Sequence, residues 1–325
     1  MQEAPEPADA SIATEAAPTE ASTKEGIADS EAAPADHYPV TIAHDFGELT
    51  FTQTPERVVV IREELLESLL VLGVQPVGYG GRLEFPAGDR VTDHPYLPQD
   101  VLGTPTYIGN PQSPSLERIV ELNPDLILFP NDGGAATELY DSFAEIAPTL
   151  AFNPGARGAW KEIVTKLGVA FNQEEQAAEA IANFEAQTED LRADLSDAVE
   201  AAPLVAVVYL PSPNSTWILG RDFALGGMVE ELGFTAVQPD GLDLGPSGAS
   251  EIDVEALSNL DTDIIFTIQL SAGVQEGFQA ERLLASLNAP IVRGVLETSR
   301  PYTGPFSERF YQEQFHAEIR EVYGE

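Results

Sequence analysis

Two stretches 138 residues apart decide the fold: Ser115–Phe129, SLERIVELNPDLILF, and Asp253–Thr267, DVEALSNLDTDIIFT. Glu117 falls on Glu255, Ile119 on Leu257, Leu122 on Leu260, Asp125 on Asp263 and Ile127 on Ile265. Each copy reads as a helix with Glu in its first turn, then a turn, then a short apolar strand. A unit repeated at long spacing marks two copies of one architecture. The strands contain Val, Ile and Leu without alternation, as in parallel sheets buried on both faces.

Working outward, the same alternation of strand and helix recurs. Tyr38–Thr52 reads as a hairpin turning near Phe46–Gly47, and Arg57–Ile61 as a buried strand. A helix follows over 63–72, then a strand over 76–79. In the second half, Leu204–Leu210 and Asp263–Ile268 read as strands, and 224–232, 254–260, 280–287 and 306–323 as helices. Between the halves lie a helix over 160–169 and a longer one over 174–200. Ala177, Ile181, Phe184, Leu191, Leu195 and Val199 form the apolar stripe of that longer helix. The expected fold class is α/β: two α/β lobes with mostly parallel sheets, joined by a long connecting helix, with a ligand cleft between the lobes. The expected division is an acidic linker over 1–37, an N-terminal lobe over 38–156, a connecting helix over 157–172 and a C-terminal lobe over 173–325.

The chain of 325 residues carries 54 Asp and Glu against 16 Lys and Arg, a net charge of −38, and no Cys. Residues 1–37 hold nine acids and one Lys, lack aromatics and show no periodicity, so they read as a disordered, charge-extended tail. The remainder still carries −30, which disfavours nucleic acid and anionic membrane surfaces as partners. The missing Cys excludes disulfides, thiolate catalysis and Cys-ligated metal. The four His residues lack metal-ligand spacing, and no nucleophile elbow, phosphate loop or dinucleotide fingerprint is present. No catalytic residue, metal ligand or intrinsic cofactor is expected, and the chain does not read as an enzyme.

Thirteen of the sixteen cations are Arg. Arg62 and Arg82 follow predicted strands, at the carboxyl ends where open α/β sheets bind ligands. Arg221 follows Trp217, and Arg300 and Tyr302 lie in a Pro-rich loop before the last helix. Guanidinium groups suit carboxylates and other delocalised anions. Tyr79, Tyr209, Trp217 and Tyr302 offer flat faces to a bulky ligand. The ligand-binding candidates are thus Arg62, Tyr79, Arg82, Tyr209, Trp217, Arg221, Arg300 and Tyr302. Each Arg could instead pair with a neighbouring carboxylate. Glu117 and Glu255 could serve only the helix dipole, or present one carboxylate per lobe to Arg on a partner.

The ordered set Pro55–Tyr79 (PERVVVIREELLESLLVLGVQPVGY), Gly109, Pro114–Phe129 (PSLERIVELNPDLILF), Leu225–Phe234 (LGGMVEELGF) and Ser247–Phe266 (SGASEIDVEALSNLDTDIIF) resembles the periplasmic-binding-protein family of siderophore and cobalamin uptake. The likeness spans about residues 40–325 and is greatest to the iron–siderophore ABC-transporter substrate-binding proteins. It implies two lobes on one rigid helix, an Fe3+-siderophore chelate as ligand, and an ABC importer permease docked through Glu117 and Glu255. It also implies a monomer outside the cytoplasm, periplasmic or at the cell surface. Family members are commonly tethered by lipid on a Cys ahead of a linker; no such Cys and no signal segment occurs in this chain. Cobalamin or haem binding, or a secreted interaction protein without transport, are the alternatives.

Overall fold

The computed structural model describes residues 37–81, 96–131, 135–212, 214–245, 247–270, 289–296, 301 and 303–324. Two strands, β1 (Val40–His44) and β2 (Gly47–Phe51), form the expected antiparallel hairpin. The first sheet collects β3 (Val58–Val60), β4 (Gly78–Gly80), β5 (Thr106–Asn110), β6 (Ser113–Pro114), β7 (Leu126–Pro130) and β8 (Thr149–Phe152). Its order is β6-β5-β4-β3-β7-β8, parallel except for β6. Between these strands run α1 (Glu63–Leu70), α2 (Gln99–Leu102), α3 (Leu116–Glu121) and α4 (Ala135–Ala144).

Then come α5 (Ala159–Phe171), α6 (Glu174–Asp194) and α7 (Ser196–Ala201). The second sheet contains β9 (Leu204–Ser212), β10 (Ser215–Leu219), β11 (Thr235–Ala236), β12 (Ala249–Glu251), β13 (Ile264–Leu270) and β14 (Ile291–Leu296). Its order is β12-β10-β9-β13-β14, with β11 added parallel on β9. Here β10 runs antiparallel to both β9 and β12. The helices of this half are α8 (Ala224–Glu231) and α9 (Pro305–Tyr323), with a 3-10 turn over Val254–Asn259.

Both faces of each sheet are covered, which explains the unalternating strands. In the first, Val58, Val60, Leu126 and Leu128 pack with α1 and α5, while Val59, Ile127 and Phe129 face Ile119 and Phe143. In the second, Val205, Val207, Phe266 and Ile268 pack with α8 and α9, while Ala206, Val208 and Ile265 face Leu257. The repeat is therefore physical: Ile119 and Leu257 are both fully buried under equivalent strands. Its two Asp residues do the same work. Asp125 accepts the backbone N–H groups of Glu56 and Arg57, each at 2.8 Å, at the start of β3. Asp263 accepts that of Leu204 at 3.0 Å, at the start of β9.

Two expected helices differ. The second copy of the repeat winds as a 3-10 turn, not an α-helix. In α3 the Ser115 hydroxyl accepts the Arg118 N–H at 3.3 Å, whereas Asp253 makes no such cap. The continuous helix over 174–200 breaks at Leu195. Its stripe serves two cores: Ala177 and Phe184 enter the first, Leu195 and Ala198 the second. A single straight face does not reach both. The helix over 280–287 lies outside the described residues. Helix α5 packs Trp160, Ile163, Val164 and Leu167 into the first core only. Helix α6 is the long connector that reaches both, and α9 runs beside it. Thr188 donates to Gln312 at 3.2 Å, and Arg309 donates to the Phe184 carbonyl at 2.7 Å. Phe306, at the start of α9, packs on the first core; Tyr311, Phe315 and Ile319 fill the second. Among the described residues, no helix is long and apolar enough to cross a membrane.

Candidate functional site

In a parallel sheet the carboxyl ends of the strands share one edge, and the loops leaving that edge build the site. Arg62 begins α1 directly beyond β3 and is 2% exposed. Tyr79, in β4 beside it, is buried and hydrogen-bonded to Glu63. Burial pushes its phenol well above the ordinary range, so it stays a neutral donor. Its ring folds back over Gly81, where any Cβ would collide with the Tyr79 hydroxyl. The Tyr107 hydroxyl donates to the Gly81 carbonyl at 3.0 Å, and the two tyrosine rings lie 6.4 Å apart. Arg62, Tyr79 and Tyr107 thus form one group at the carboxyl edge of the first sheet.

On the second sheet, Tyr209 near the carboxyl end of β9 pairs in register with Trp217 of β10. The Trp217 indole donates to Ser215 at 3.1 Å, and Ser215 donates to Glu251 at 2.6 Å. That chain fixes the ring and leaves it part-buried. Among the described residues, no group of three or more His, Asp or Glu is placed to hold a metal ion.

Arg221 lies elsewhere. Because β10 runs antiparallel, Leu219 pairs with Val207, and Arg221 falls two residues further toward the amino end of β9. Its side chain is 58% exposed and pairs with Glu230 at 3.6 Å. It borders an open hollow of about 480 Å³ with Asp222, Gln238 and Asp243. Arg82, Arg300 and Tyr302 lie outside the described residues; by sequence Arg82 follows β4, and Arg300 and Tyr302 follow β14.

A family model described as periplasmic binding protein matches residues 58–298. The chain belongs to the periplasmic binding protein family. The ferric enterobactin-binding periplasmic protein FepB of Escherichia coli is 30% identical over 278 residues, 81% of this chain and 84% of that protein. The probable siderophore-binding lipoprotein YfiY of Bacillus subtilis is 30% identical over 232 residues, 70% of this chain and 67% of that protein. Staphylococcus aureus SirA, solved with staphyloferrin B, superposes with a TM-score of 0.66 at 18% identity, covering 86% of this chain and 98% of SirA. The family and these relatives are binding proteins.

In this periplasmic binding protein, Glu117 and Glu255 occupy the first turns of α3 and of the 3-10 turn, and both are exposed. Each element precedes a central strand, β7 or β13, and starts near the carboxyl edge. Ser115 N–H donates to Ile108 of β5, and Glu251 pairs with Trp217. The two carboxylates therefore lie toward the same edges as the aromatic groups.

Sequence reasoning missed Tyr107 and a set of buried acids. Every residue of α1 is buried, including Glu63, Glu64 and Glu67. Burial raises the Glu64 carboxyl well above its usual range and pushes Glu67 to about 8 and Glu308 to about 7. In the sequence Glu63, Glu64, Glu67 and Ser68 form the polar side of an amphipathic helix, so nothing local marked these acids as buried.

Proposed function

We propose that this protein is the extracytoplasmic binding component of an ABC importer and that its cargo is a ferric siderophore. The observation that carries the reading is the 30% identity over 81% of the chain to a ferric enterobactin-binding protein. The chemistry of the two edges supports it. Arg62, and by sequence position Arg82 and Arg300, supply cations to the anionic oxygens of a chelate. Part-buried Trp217 and Tyr107, and by sequence position Tyr302, supply flat faces to its ligand arms, and the buried Tyr79 and Tyr209 back them from the two cores. Arg221 is not part of that set, because it lies toward the amino end of β9. The iron is cargo, enclosed by its chelator. We read the lobes as 38–156 and 173–325, with 157–172 packed on the first and α6 bracing both. The protein acts as a monomer and docks on its permease through Glu117 and Glu255. The acidic segment 1–37 acts as a spacer between the folded lobes and a membrane tether.

Fluorescence titration tests the cargo. Trp160 is buried and Trp217 part-buried, so a chelate bound beside Trp217 quenches a defined part of the emission. Ferric enterobactin, a ferric hydroxamate and ferric citrate are the probes. Quenching that disappears in Trp217→Phe supports the reading. No quenching and no thermal shift with any of them, or a Soret band on adding haemin, overturns it.

A further inference from the structure

Helix α9 begins at Gly304, which has no side chain to cap the helix, leaving the first N–H groups to find acceptors elsewhere. The acceptor comes from α1 in the first lobe. Glu67 Oε2 accepts the N–H of Phe306 at 2.9 Å, the N–H of Ser307 at 2.7 Å and the Ser307 hydroxyl at 3.0 Å. Ser307 in turn accepts the Gly304 N–H at 2.9 Å. A Cβ on Gly304 would lie 2.6 Å from Glu67 Oε2 and 2.7 Å from Glu67 Cβ, so the glycine is what admits the carboxyl. One residue further along α9, Glu308 Oε2 accepts from Trp160 of α5 at 3.0 Å and from Thr303 at 2.6 Å. Glu67 and Glu308 are 0% and 1% exposed.

We propose that Glu67 and Glu308 are positioning residues: as neutral acids they clamp the start of α9 to the first lobe, fixing the lobe arrangement that captures the ligand, and losing their protons loosens it. The ligand clause rests on the cargo proposed above; the clamp itself does not.

The surroundings set the direction. Glu67 and its neighbour Glu64 face Arg62 and Glu63 on α1, Tyr79 on β4, Tyr96, and Phe306 and Ser307 on α9. Glu308 faces Thr303, Lys161 and Trp160 on α5, Glu231 at the end of α8, and Arg309. Burial opposes charge on both acids, and the hydrogen bonds only partly offset it. Among the described residues, Glu67 Oε1 accepts no hydrogen bond, so ionisation would place charge on an oxygen without a donor. Alkaline pH is therefore the direction that weakens the clamp.

The test is hydrogen exchange at the Phe306 and Ser307 amides, corrected for intrinsic rates, from pH 6.5 to 9. In the wild-type protein the protection falls at least about thirtyfold from pH 6.5 to 9 and levels off above about 8, because the opened acid ionises near its ordinary value while the clamped Glu67 holds its proton to about 8. Glu67→Gln keeps a neutral acceptor, so its protection falls only about fourfold, the share left to Glu308; Glu308→Gln removes that share, which levels off above about pH 7. Gly304→Ala forces Glu67 aside and lowers protection already at pH 6.5. The affinity for ferric enterobactin, measured in parallel, falls more steeply with pH in wild type than in Glu67→Gln, which cancels the chelate's own titration. Profiles of wild type and Glu67→Gln that superimpose overturn the proposal. If ferric enterobactin binds neither protein, the cargo reading fails while the amide protection still decides the clamp.

Discussion

Replacing Asp125 with Ala removes the acceptor that starts β3. The carboxylate takes two backbone N–H groups at 2.8 Å, from Glu56 and Arg57, while its own N–H donates to the Arg57 carbonyl at 3.0 Å. A hydrogen bond to a charged group contributes about 1.5–3 kcal/mol when dry and less where water competes. Asp125 is half-buried, so about 1 kcal/mol per bond is the fitting scale, and Asp125→Ala should cost about 2 kcal/mol. Asp263 holds one N–H, at 3.0 Å, so Asp263→Ala should cost about half as much. Asn at 125 keeps one acceptor and should recover part of the loss. Urea unfolding gives all three values. Ferric-chelate affinity of the folded variants should stay within about twofold, because both Asp residues lie at the amino ends of their strands. Two results would refute the reasoning. One is stability of Asp125→Ala within about 0.5 kcal/mol of wild type; the other is loss of affinity at unchanged stability.

Three further outcomes follow from the same geometry. Glu64, Glu67 and Glu308 hold their protons in the native state at a pH where the unfolded chain has released them, so stability is greatest in mild acid and declines as pH rises from about 5 through 8. Glu67 alone accounts for about 2 kcal/mol between pH 6 and 8, and calorimetry showing a rising melting temperature over that range contradicts it. Arg221→Ala should change stability by less than about 1 kcal/mol, since its pairing with Glu230 is solvent-exposed; a tenfold loss of chelate affinity would return it to the binding site. The double change Glu117→Arg and Glu255→Arg should leave chelate affinity unchanged and abolish uptake in cells, and undiminished uptake removes the docking role.

The two-lobe architecture was legible because burial on both sheet faces writes itself as unalternating strands such as Val58–Ile61, and because the repeat places Asp125 and Asp263 at equivalent strand starts. Arg221 could not be placed from sequence, because nothing in Ser215–Leu219 says that β10 returns antiparallel to β9. That reversal carries Arg221 away from Tyr209. The acids of α1 were equally hidden. Glu63, Glu64 and Glu67 read locally as the polar side of an ordinary helix; Tyr79 of β4 closes over Glu63 and Glu64, and α9, more than 230 residues later, closes over Glu67. The break at Leu195 has the same origin: one apolar stripe was visible, but not that it divides between two cores.

The central claim is that the cleft captures one ferric siderophore. Native mass spectrometry of the protein mixed with equimolar ferric enterobactin, ferric hydroxamate, ferric citrate, haemin and cobalamin measures this directly. The expected spectrum shows a single added mass equal to one ferric siderophore, surviving in Arg221→Ala and weakened in Trp217→Ala. A spectrum with no ferric chelate bound, or with haemin or cobalamin bound instead, would contradict the account.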